Sequence, residues 1–495
     1  MVPQDNISKD DRRVFNLLLV KPQFPSRRTL ERASGVTPPL NLLYLAGYLE
    51  KVFLKDQDFP LEIHVWDLEV APLSLDGLRT KLEAIQPDLV GFTAVTMNMP
   101  TIELMAPWFK KLAPRSKIVI GGPHPTVVPV QTLESIPAID YLICGEGERT
   151  LEDLIRFLTG GLVDVNVVRG LYFRDPIDGT IQFSGSRALI EDLSILPMPA
   201  RHLLPYNKYL DHPQSPGIFK KTGNIFTQRG CPFNCSFCSA HVVHEGKVRY
   251  FPIENIIEEI KFIKETYGIE HVTFRDSNFT ISRGRTVRIC RRILEEKLHI
   301  TWNCETRVSL VDDRLLEIMA RAGCTKISFG VESGSPRMLK KINKGISVKV
   351  IMGAFKSCRK FGIETQAFFM VGFPSETIED IQLTWHLIKE ITPDYLFISV
   401  VVPLPGTAIH ETVLEENLFI DQANLFSYQF FHGTPSWRTK NFNVEELIRI
   451  QQYLYKKYMF HPRYVLGMLL KVRSLAQVKY YMRAIIGFLE FVVSR

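Results

Sequence analysis

Short β-rich runs alternate with amphipathic helical stretches through most of this 495-residue chain, and that alternation limits its fold more than any other feature. The first run, Val14–Val20, is nearly all apolar, as is typical of a central strand in a parallel sheet. Helical patterns, such as Leu40–Lys51 and Thr101–Leu112, separate the runs. Four further strands are predicted at Leu61–Trp66, Asp88–Thr93, Lys117–Gly122 and Asp140–Cys144. Residues 1–150 are therefore predicted to form a doubly wound, flavodoxin-like α/β domain, which binds ligands at the carboxyl ends of its strands.

A second series of strand–helix units begins at Asn224. Six units of this size predict a partial (βα)6 barrel of the TIM type over residues 224–407. Its strands are predicted at Asn224–Gln228, His271–Arg275, Thr301–Thr306, Lys326–Val331, Thr365–Val371 and Tyr395–Val400. Residues 151–223 are irregular and rich in Gly, Pro and Asp, which predicts a connector with one hairpin around Leu171–Phe183. Residues 408–495 are predicted to be a helical, basic C-terminal region.

Polar and Gly-rich clusters follow the strands of the second series rather than its helices. In chain order they read RGCPFNCSFC, RDSNF, ETR, ESGS, GFPSET and PLPGT. Because the carboxyl ends of parallel barrel strands share one rim, all six clusters are expected at one mouth. The sequence therefore predicts an active site there.

Three of the eight cysteines, Cys231, Cys235 and Cys238, form a C-x3-C-x2-C cluster within the first of these loops. The other five are scattered, and each is expected to be a small buried hydrophobic side chain. A zinc ribbon normally pairs two C-x2-C knuckles to reach four ligands, and the chain has no second knuckle. Three thiolates on a four-iron cube instead leave one iron open to bind a substrate or cosubstrate.

The cysteine motif, with Phe237 before its last cysteine, resembles that of the radical S-adenosylmethionine (radical SAM) enzymes. Later loops extend the resemblance: FRDSNF, CETR, FGVESGS, Lys344-Gly345 and MVGFPSET occur in that order. The resemblance implies that the three cysteines hold a 4Fe–4S cluster and that S-adenosyl-L-methionine chelates the fourth iron. An electron from an external donor of the flavodoxin or ferredoxin type would then release a 5′-deoxyadenosyl radical.

The same resemblance assigns roles by position. Asp276 and Asn278 are expected at the methionyl amine, and Arg307 at the methionine carboxylate or in an ion pair with Glu305 or another acid. Arg275 is an unusual neighbour whose role stays open. The other S-adenosylmethionine-binding residues are predicted to be Phe237, Glu332, Ser333, Gly372 and Pro374.

The N-terminal domain lacks both a G-x-G-x-x-G fingerprint after its first strand and a phosphate-binding loop. It does contain TPPLNLLYLAGYLE, GFTAVT, GGPHPT and CGEGE in that order. This combination resembles the cobalamin-binding domain that precedes the radical SAM barrel in a large enzyme class. The predicted cobalamin-binding residues are Thr37, Pro38, Thr93, Thr96, Gly121, Gly122, His124, Gly145 and Glu146.

Other cobalamin proteins supply an axial histidine from a D-x-H-x-x-G loop, which is absent here. No histidine lies between Lys21 and Glu62. The resemblance therefore implies a cobalt without a histidine below it. His124 is an alternative cobalt ligand, although a role in shaping its loop or touching the corrin is favoured.

Charge distribution singles out the C-terminal region. The chain carries a net charge of +7, and residues 438–495 contain 11 basic residues against three acidic ones. The preceding body is nearly neutral, which argues against a nucleic-acid-binding surface. The tail is expected to cap the barrel with an apolar helix face; docking on an anionic membrane, motivated by IIGFLEFVV, and contact with an acidic or lipid-like substrate are alternatives.

These features together predict a cobalamin-dependent radical SAM enzyme that methylates an unactivated carbon of a small hydrophobic or specialised metabolite. Oxidative cyclisation or rearrangement, as in tetrapyrrole cyclase relatives, is one alternative. A cobalamin-binding sensor without turnover is another, but the intact cysteines count against it. The polar amino terminus and the lack of a long apolar run predict a cytoplasmic protein, with membrane association through the tail as an option.

Overall fold

The computed structural model describes residues 13–23, 36–54, 59–175, 177–210, 217–421 and 435–471, together with positions 477, 478, 482 and 486. Two compact units are present. One comprises residues 1–25 and 38–209, and the other comprises residues 26–37 and 210–495.

The first unit is built on a sheet with the strand order β2-β1-β3-β4-β5-β6-β7 among its described residues. The first five strands are parallel, while β6 and β7 add to the edge in antiparallel pairing. The strands are β1 (Phe15–Lys21), β2 (Leu61–Asp67), β3 (Leu89–Thr93), β4 (Lys117–Gly121), β5 (Tyr141–Ile143), β6 (Leu171–Arg174) and β7 (Ile181–Phe183). The doubly wound parallel sheet expected from the sequence is confirmed.

Helices cover this sheet: α1 (Leu40–Phe53), α2 (Leu75–Ile85), α3 (Met99–Leu112), α4 (Pro123–Val127), α5 (Pro129–Ser135), α6 (Glu148–Leu158) and α7 (Asn207–Leu210). One core lies between the central strands and α3, where Val90 and Ile120 pack with Phe109. These side chains are fully buried because parallel strands covered by helices expose neither face to water.

The segment 151–223, predicted to be a connector, contains the hairpin β6–β7, helix α7 and the start of β8. Residues 151–209 belong to the first compact unit, and the hairpin β6–β7 pairs with β5 of its sheet. Pairing satisfies the backbone groups that the edge of β5 would otherwise leave open. The domain boundaries predicted from the sequence are not otherwise tested and stay a prediction.

The second unit contains a parallel six-stranded sheet in its described residues, with the order β8-β11-β12-β13-β14-β15. Its strands are β8 (Thr222–Ile225), β11 (His271–Phe274), β12 (Thr301–Thr306), β13 (Cys324–Glu332), β14 (Glu364–Val371) and β15 (Tyr395–Val400); the short pair β9 (Gln228–Arg229) and β10 (Arg249–Tyr250) stands apart. Each long strand lies beside the preceding one in the chain, and β8 and β15 remain unpaired to each other. This arrangement confirms the partial (βα)6 barrel.

The helices of the second unit are α8 (Ala240–Val243), α9 (Ile253–Tyr267), α10 (Arg283–Glu295), α11 (Asp313–Arg321), α12 (Pro336–Lys341), α13 (Val348–Lys360), α14 (Ile378–Ile391), α15 (Ala408–Glu415), α16 (Val444–Met459) and α17 (Pro462–Lys471). Within β12, Trp302 packs on the aromatic rings of Phe274 and Phe279, while alternate residues carry polar groups. The amide oxygen of Asn303 lies 2.7 Å from His271 Nε2 and accepts a hydrogen bond from Thr273 at 2.8 Å. Because side chains alternate along a strand, these polar residues line the barrel interior.

The C-terminal region is helical where it is described. Helix α16 packs on the last barrel strand, β15, where the Ile398 N–H donates a hydrogen bond to the Tyr455 hydroxyl at 2.6 Å. Gln451 donates to the Ile398 carbonyl at 2.7 Å. The expected cap on the barrel is confirmed for α16. Most of IIGFLEFVV lies outside the described residues.

Candidate active site

The cysteine loop leaves β9 through a glycine that no other residue can replace without strain. Gly230 has φ +94°, and a Cβ built on it would lie 1.9 Å from the Lys247 carbonyl oxygen. This close approach fixes the entry to Cys231 against the segment that follows the loop. Within the loop, the Cys238 amide donates to the Cys235 carbonyl at 3.1 Å, closing a turn that brings these two cysteines together.

Two donors from neighbouring barrel loops point at the sulfurs. Asn278 Nδ2 donates to Cys231 Sγ at 3.2 Å, and Arg307 Nη1 donates to Cys235 Sγ at 3.4 Å. Cys231 and Cys235 are both buried. An amide and a guanidinium beside sulfur are the kinds of hydrogen-bond donor that the ligands of an iron–sulfur cluster accept.

The third thiol, that of Cys238, lies close enough to the other two for them to affect its pKa. Burial raises the pKa of Cys238, and the neighbouring sulfurs of Cys235 and Cys231 raise it further, whereas Lys344 lowers it. In the described part of the chain no three side chains converge on a position for a single metal ion. The cysteines of a four-iron cube each bind a different iron, so they need not converge in that way. Three adjacent thiols with donors at two of them fit such a cluster.

The Arg307 side chain contacts the cysteine loop on one side and donates a hydrogen bond to the loop that contains Lys344 on the other. Its guanidinium lies 3.8 Å from the ring centroid of Phe233, and Nη2 donates to the Lys344 carbonyl. No ion pair with Glu305 forms, so that alternative is not adopted. The buried Nε atom has no hydrogen-bond partner, which leaves one donor for a ligand.

Asp276 is held by the protein itself. Its carboxylate accepts hydrogen bonds from the Thr227 amide at 2.8 Å, the Thr227 hydroxyl at 2.5 Å and the Gln228 amide at 3.1 Å. Burial raises the pKa of Asp276 to about 6, although these hydrogen bonds oppose the rise. The carboxylate therefore fastens the loop after β11 to the chain that leads into the cysteines.

Glu332 and Lys344 form a buried ion pair, with 2.8 Å between Glu332 Oε1 and Lys344 Nζ. The register of β13 shifts between Gly330 and Glu332, and Glu332 has φ +68°. A Cβ on Gly330 would lie 2.5 Å from Glu332 Oε1, so glycine makes room for the pair. Ser333 next to it is fully buried, with its hydroxyl 3.2 Å from that of Thr384.

The loop after β14 holds an acid that the sequence analysis missed. Gly372 has φ +88°, and its amide donates to Glu376 Oε2 at 2.6 Å. Burial raises the pKa of Glu376 to about 8, so the group is mostly protonated near neutral pH. Pro374 is buried in the same loop, and the ring of Phe373 lies 6.4 Å from that of Phe237. A single glutamate in a loop forms no recognisable spacing pattern with other residues. Its position within the MVGFPSET motif was the one sequence feature that could have marked Glu376 as a candidate.

Arg275 and Glu305, which the sequence analysis named without a joint role, lie inside the barrel and interact electrostatically. Arg275 Nε donates to Asn224 Oδ1 at 2.6 Å, while its buried Nη2 has no hydrogen-bond partner. Burial raises the pKa of Glu305, and the charges of Arg275 and Lys326 oppose the rise. Glu305 is surrounded by protein on an interior strand position, yet solvent reaches it, so it lines open space inside the barrel.

In the first unit the predicted cobalamin-binding residues gather after β3, β4 and β5. Gly122 has φ +113°, and a Cβ there would lie 2.5 Å from the Ala94 carbonyl oxygen. His124 Nδ1 and Thr96 Oγ1 share a hydrogen bond of 3.1 Å. Burial lowers the pKa of His124 to about 4, so its imidazole is neutral near pH 7. Gly121 precedes this turn at the end of β4.

The remaining predicted residues lie at the end of β3, after β5 and before α1. Thr93 accepts a hydrogen bond from Asn41 at 2.7 Å, while Thr37 and Pro38 lead into α1. Glu146 accepts from the Ile190 amide at 2.7 Å. Gly145 has φ +75° and nothing within 4 Å of a built Cβ, so open space adjoins its backbone. Glycine backbone and open space at strand ends fit a bulky ligand such as cobalamin; residues 24–35, which follow β1, lie outside the described part.

Comparison with known proteins agrees with the assignment of a radical SAM barrel and of a cobalamin-binding domain. The family model for the radical SAM superfamily matches residues 225–388, and that for the B12 binding domain matches residues 28–155. The chain is 31% identical to an uncharacterized methyltransferase of Pyrococcus horikoshii, over 94% of this chain and 99% of that protein. It is 26% identical to the anaerobic magnesium-protoporphyrin IX monomethyl ester cyclase of Rubrivivax gelatinosus, over 91% of this chain and 78% of the relative.

Among solved structures, the radical S-adenosylmethionine methyltransferase TsrM from Kitasatospora setae, with cobalamin and a [4Fe-4S] cluster bound, has the same fold. The TM-score is 0.66 at 18% sequence identity, covering 81% of this chain and 75% of TsrM. The fold and the cysteine site define a radical SAM enzyme with a cobalamin-binding domain. The chain belongs to the methyltransferase family of its archaeal relative within that class. Its cofactors are a 4Fe–4S cluster, S-adenosylmethionine and cobalamin.

Proposed function

We propose that this enzyme methylates a carbon atom of a small, largely apolar metabolite. The observation that carries the proposal is the cysteine loop, with its donors to sulfur, in a chain that also has a B12 binding domain and a full-length methyltransferase relative. When bound together, the cofactors supply a carbon-centred radical and a methyl group.

The side chains around the cysteines are proposed to bind and orient S-adenosylmethionine. Arg307, through its remaining Nε donor, would bind the methionine carboxylate, and Asn278, which donates to Cys231, would lie near the methionyl amine. Asp276 acts as a positioning residue, because its carboxylate is used in fastening the loop. Glu332 and Ser333 are proposed at the ribose, and Phe237, Gly372 and Pro374 at the adenine.

The residues proposed to bind cobalamin are Thr93, Thr96, Gly121, Gly122, Gly145 and Glu146 of the first unit, together with Thr37 and Pro38. His124 is proposed to shape the loop rather than to bind cobalt, because its Nδ1 is engaged by Thr96.

The test uses anaerobically purified holoenzyme with trideuteriomethyl S-adenosylmethionine, reductant and a metabolite extract of the native host. A product carrying the intact labelled methyl group, together with 5′-deoxyadenosine, is expected. A Cys238→Ala variant is the matched control and should form neither. Release of 5′-deoxyadenosine by the wild type without any labelled product would contradict methylation.

Oxidative cyclisation is the second function, favoured by the similarity to the Rubrivivax gelatinosus cyclase over most of both chains. It would give an unlabelled product with altered mass in the same assay. A sensor without turnover would give neither outcome while still binding cobalamin.

Contact of the basic tail with an anionic membrane also stays a proposal. No helix among the described residues combines the length and apolarity needed to cross a bilayer. Flotation with vesicles containing anionic lipid should retain the full chain more than one ending at residue 471, and equal recovery would contradict the idea.

A further inference from the structure

The segment between β13 and β14 is strongly basic, and the proposed catalytic roles do not account for this excess of positive charge. Residues 333–363 contain eight basic residues and no acidic residue. Several of these cations are used within the fold: Lys344 pairs with Glu332, Arg337 with Asp380 and Lys360 with Asp313. Others remain available to a partner.

Three exposed lysines, Lys340, Lys341 and Lys349, make up what we call the lysine face. In the described part of the chain, none of the three takes part in a salt bridge or another recorded interaction. Uncompensated like charges on adjoining helix ends repel one another in the free protein, and an acidic partner relieves that repulsion.

The lysine face adjoins the cysteine loop directly. The Ser236 amide donates to the Ile342 carbonyl at 3.1 Å, and Asn343 Nδ2 donates to the Asn234 carbonyl at 2.7 Å. Pro232 and Asn234, at the tip of the loop, are exposed. A protein resting on the lysine face would therefore touch the outer side of the loop that holds the cluster ligands.

We propose that the lysine face, with the exposed tip of the cysteine loop, is the docking surface for a small acidic electron-transfer protein of the flavodoxin class. This inference rests on the proposed function, which requires an external electron. The donor loses one electron and the cluster gains it, with no covalent bond formed or broken between the two proteins. Charge complementarity attracts the donor protein to the lysine face. The hydrogen bond from Ser236 to Ile342 joins this face to the cysteine loop, so a bound donor lies beside the cluster-ligating cysteines.

The experiment compares holoenzyme with K340E/K341E and with a matched control, R288E/R291E. The control changes the net charge equally at exposed positions of another helix, α10. Binding of reduced and of oxidised flavodoxin is measured by calorimetry at low and high salt. Cluster reduction by flavodoxin and by photoreduced deazariboflavin, which is uncharged, is followed by absorbance.

At low salt, K340E/K341E is expected to lose about tenfold or more in flavodoxin affinity and in the reduction rate, and high salt should shrink that difference. For R288E/R291E, the flavodoxin affinity and the reduction rate should stay within about twofold of the wild-type values, because its changed charges lie away from the docking surface. Reduction by deazariboflavin should be equal in all three proteins. Equal losses in both variants, or no loss in K340E/K341E, would overturn the docking surface. Failure of deazariboflavin to reduce the wild type would instead count against the proposed function.

Discussion

Asn278 shows how one amide can tune a buried sulfur site. Its Nδ2 donates to Cys231 Sγ, and its backbone carbonyl accepts from Gln228 Nε2 at 3.0 Å, so the side chain is firmly placed. Hydrogen bonds to cluster sulfur stabilise the more negative, reduced state and raise the reduction potential. The sequence singled out this residue, but only the fold shows that its partner is a sulfur.

We expect Asn278→Ala to lower the reduction potential of the reconstituted cluster by about 60 mV, which corresponds to about 1.4 kcal/mol for one electron. An anaerobic titration followed by electron paramagnetic resonance measures the shift. Asn343→Ala, which removes an amide from the outer side of the same loop, is the control and should leave the potential nearly unchanged. An unchanged potential in Asn278→Ala would show that the hydrogen bond has no electronic effect.

Glu376 gives a pH dependence with a definite sign. Burial raises its pKa in the folded protein to about 8 from an ordinary value of 4.5, so the folded state holds a proton that the unfolded chain releases. Stability from this group is therefore complete below about pH 4.5 and falls as pH rises toward 8. Glu376→Gln keeps an oxygen for the Gly372 amide and removes the titration.

We expect Glu376→Gln to raise the melting temperature of the protein relative to the wild type more at pH 8.5 than at pH 6, by several degrees. Differential scanning calorimetry at the two pH values measures this difference. Glu379→Gln is the control, because Glu379 is exposed in the same segment. A constant gap between Glu376→Gln and the wild type at both pH values would contradict the assignment.

At the scale of elements, most strand and helix positions followed from periodicity. The strands Thr301–Thr306 and Tyr395–Val400 match their predicted bounds, because apolar β-rich runs there end at polar clusters. Periodicity did not reveal the register shift in β13, which gives Glu332 its left-handed conformation. Such a bulge depends on pairing with β14, a partner distant in the chain.

The link from β9 into the cysteine loop depends on Gly230. We expect Gly230→Ala to destabilise the second unit by about 3 kcal/mol, because its Cβ would clash with the Lys247 carbonyl. Urea unfolding and the iron content of the reconstituted protein measure the effect, and both should fall.

Gly353→Ala on α13 is the matched control for that substitution. A Cβ there meets nothing within 4 Å, so the helix should gain stability by about 0.5–1 kcal/mol. If Gly230→Ala behaved like the control, the close contact at Lys247 would not be a real constraint.

At the scale of the whole molecule, helix α16 fastens the described part of the C-terminal region to the barrel. Helix α16 buries Leu447 and Leu454 and contacts β15 through Gln451 and Tyr455. A chain ending at residue 443 should therefore melt about 5 °C or more below one ending at residue 471, since its loss of α16 exposes that apolar surface. Thermal unfolding by circular dichroism measures both chains, and equal melting temperatures would contradict a capping role for α16.

The sequence by itself determined the order of the two α/β units, the three cysteines and the set of cofactors. Those features depend on local spacing, on strands that end where polar loops begin, and on motifs whose members lie within a few residues. Only the tertiary structure decided that Asp276 fastens a loop, that Arg307 contacts Cys235 rather than Glu305, and that Glu376 is a buried acid. Each of these outcomes depends on atoms contributed by distant segments, and strand register and helix packing bring such segments together.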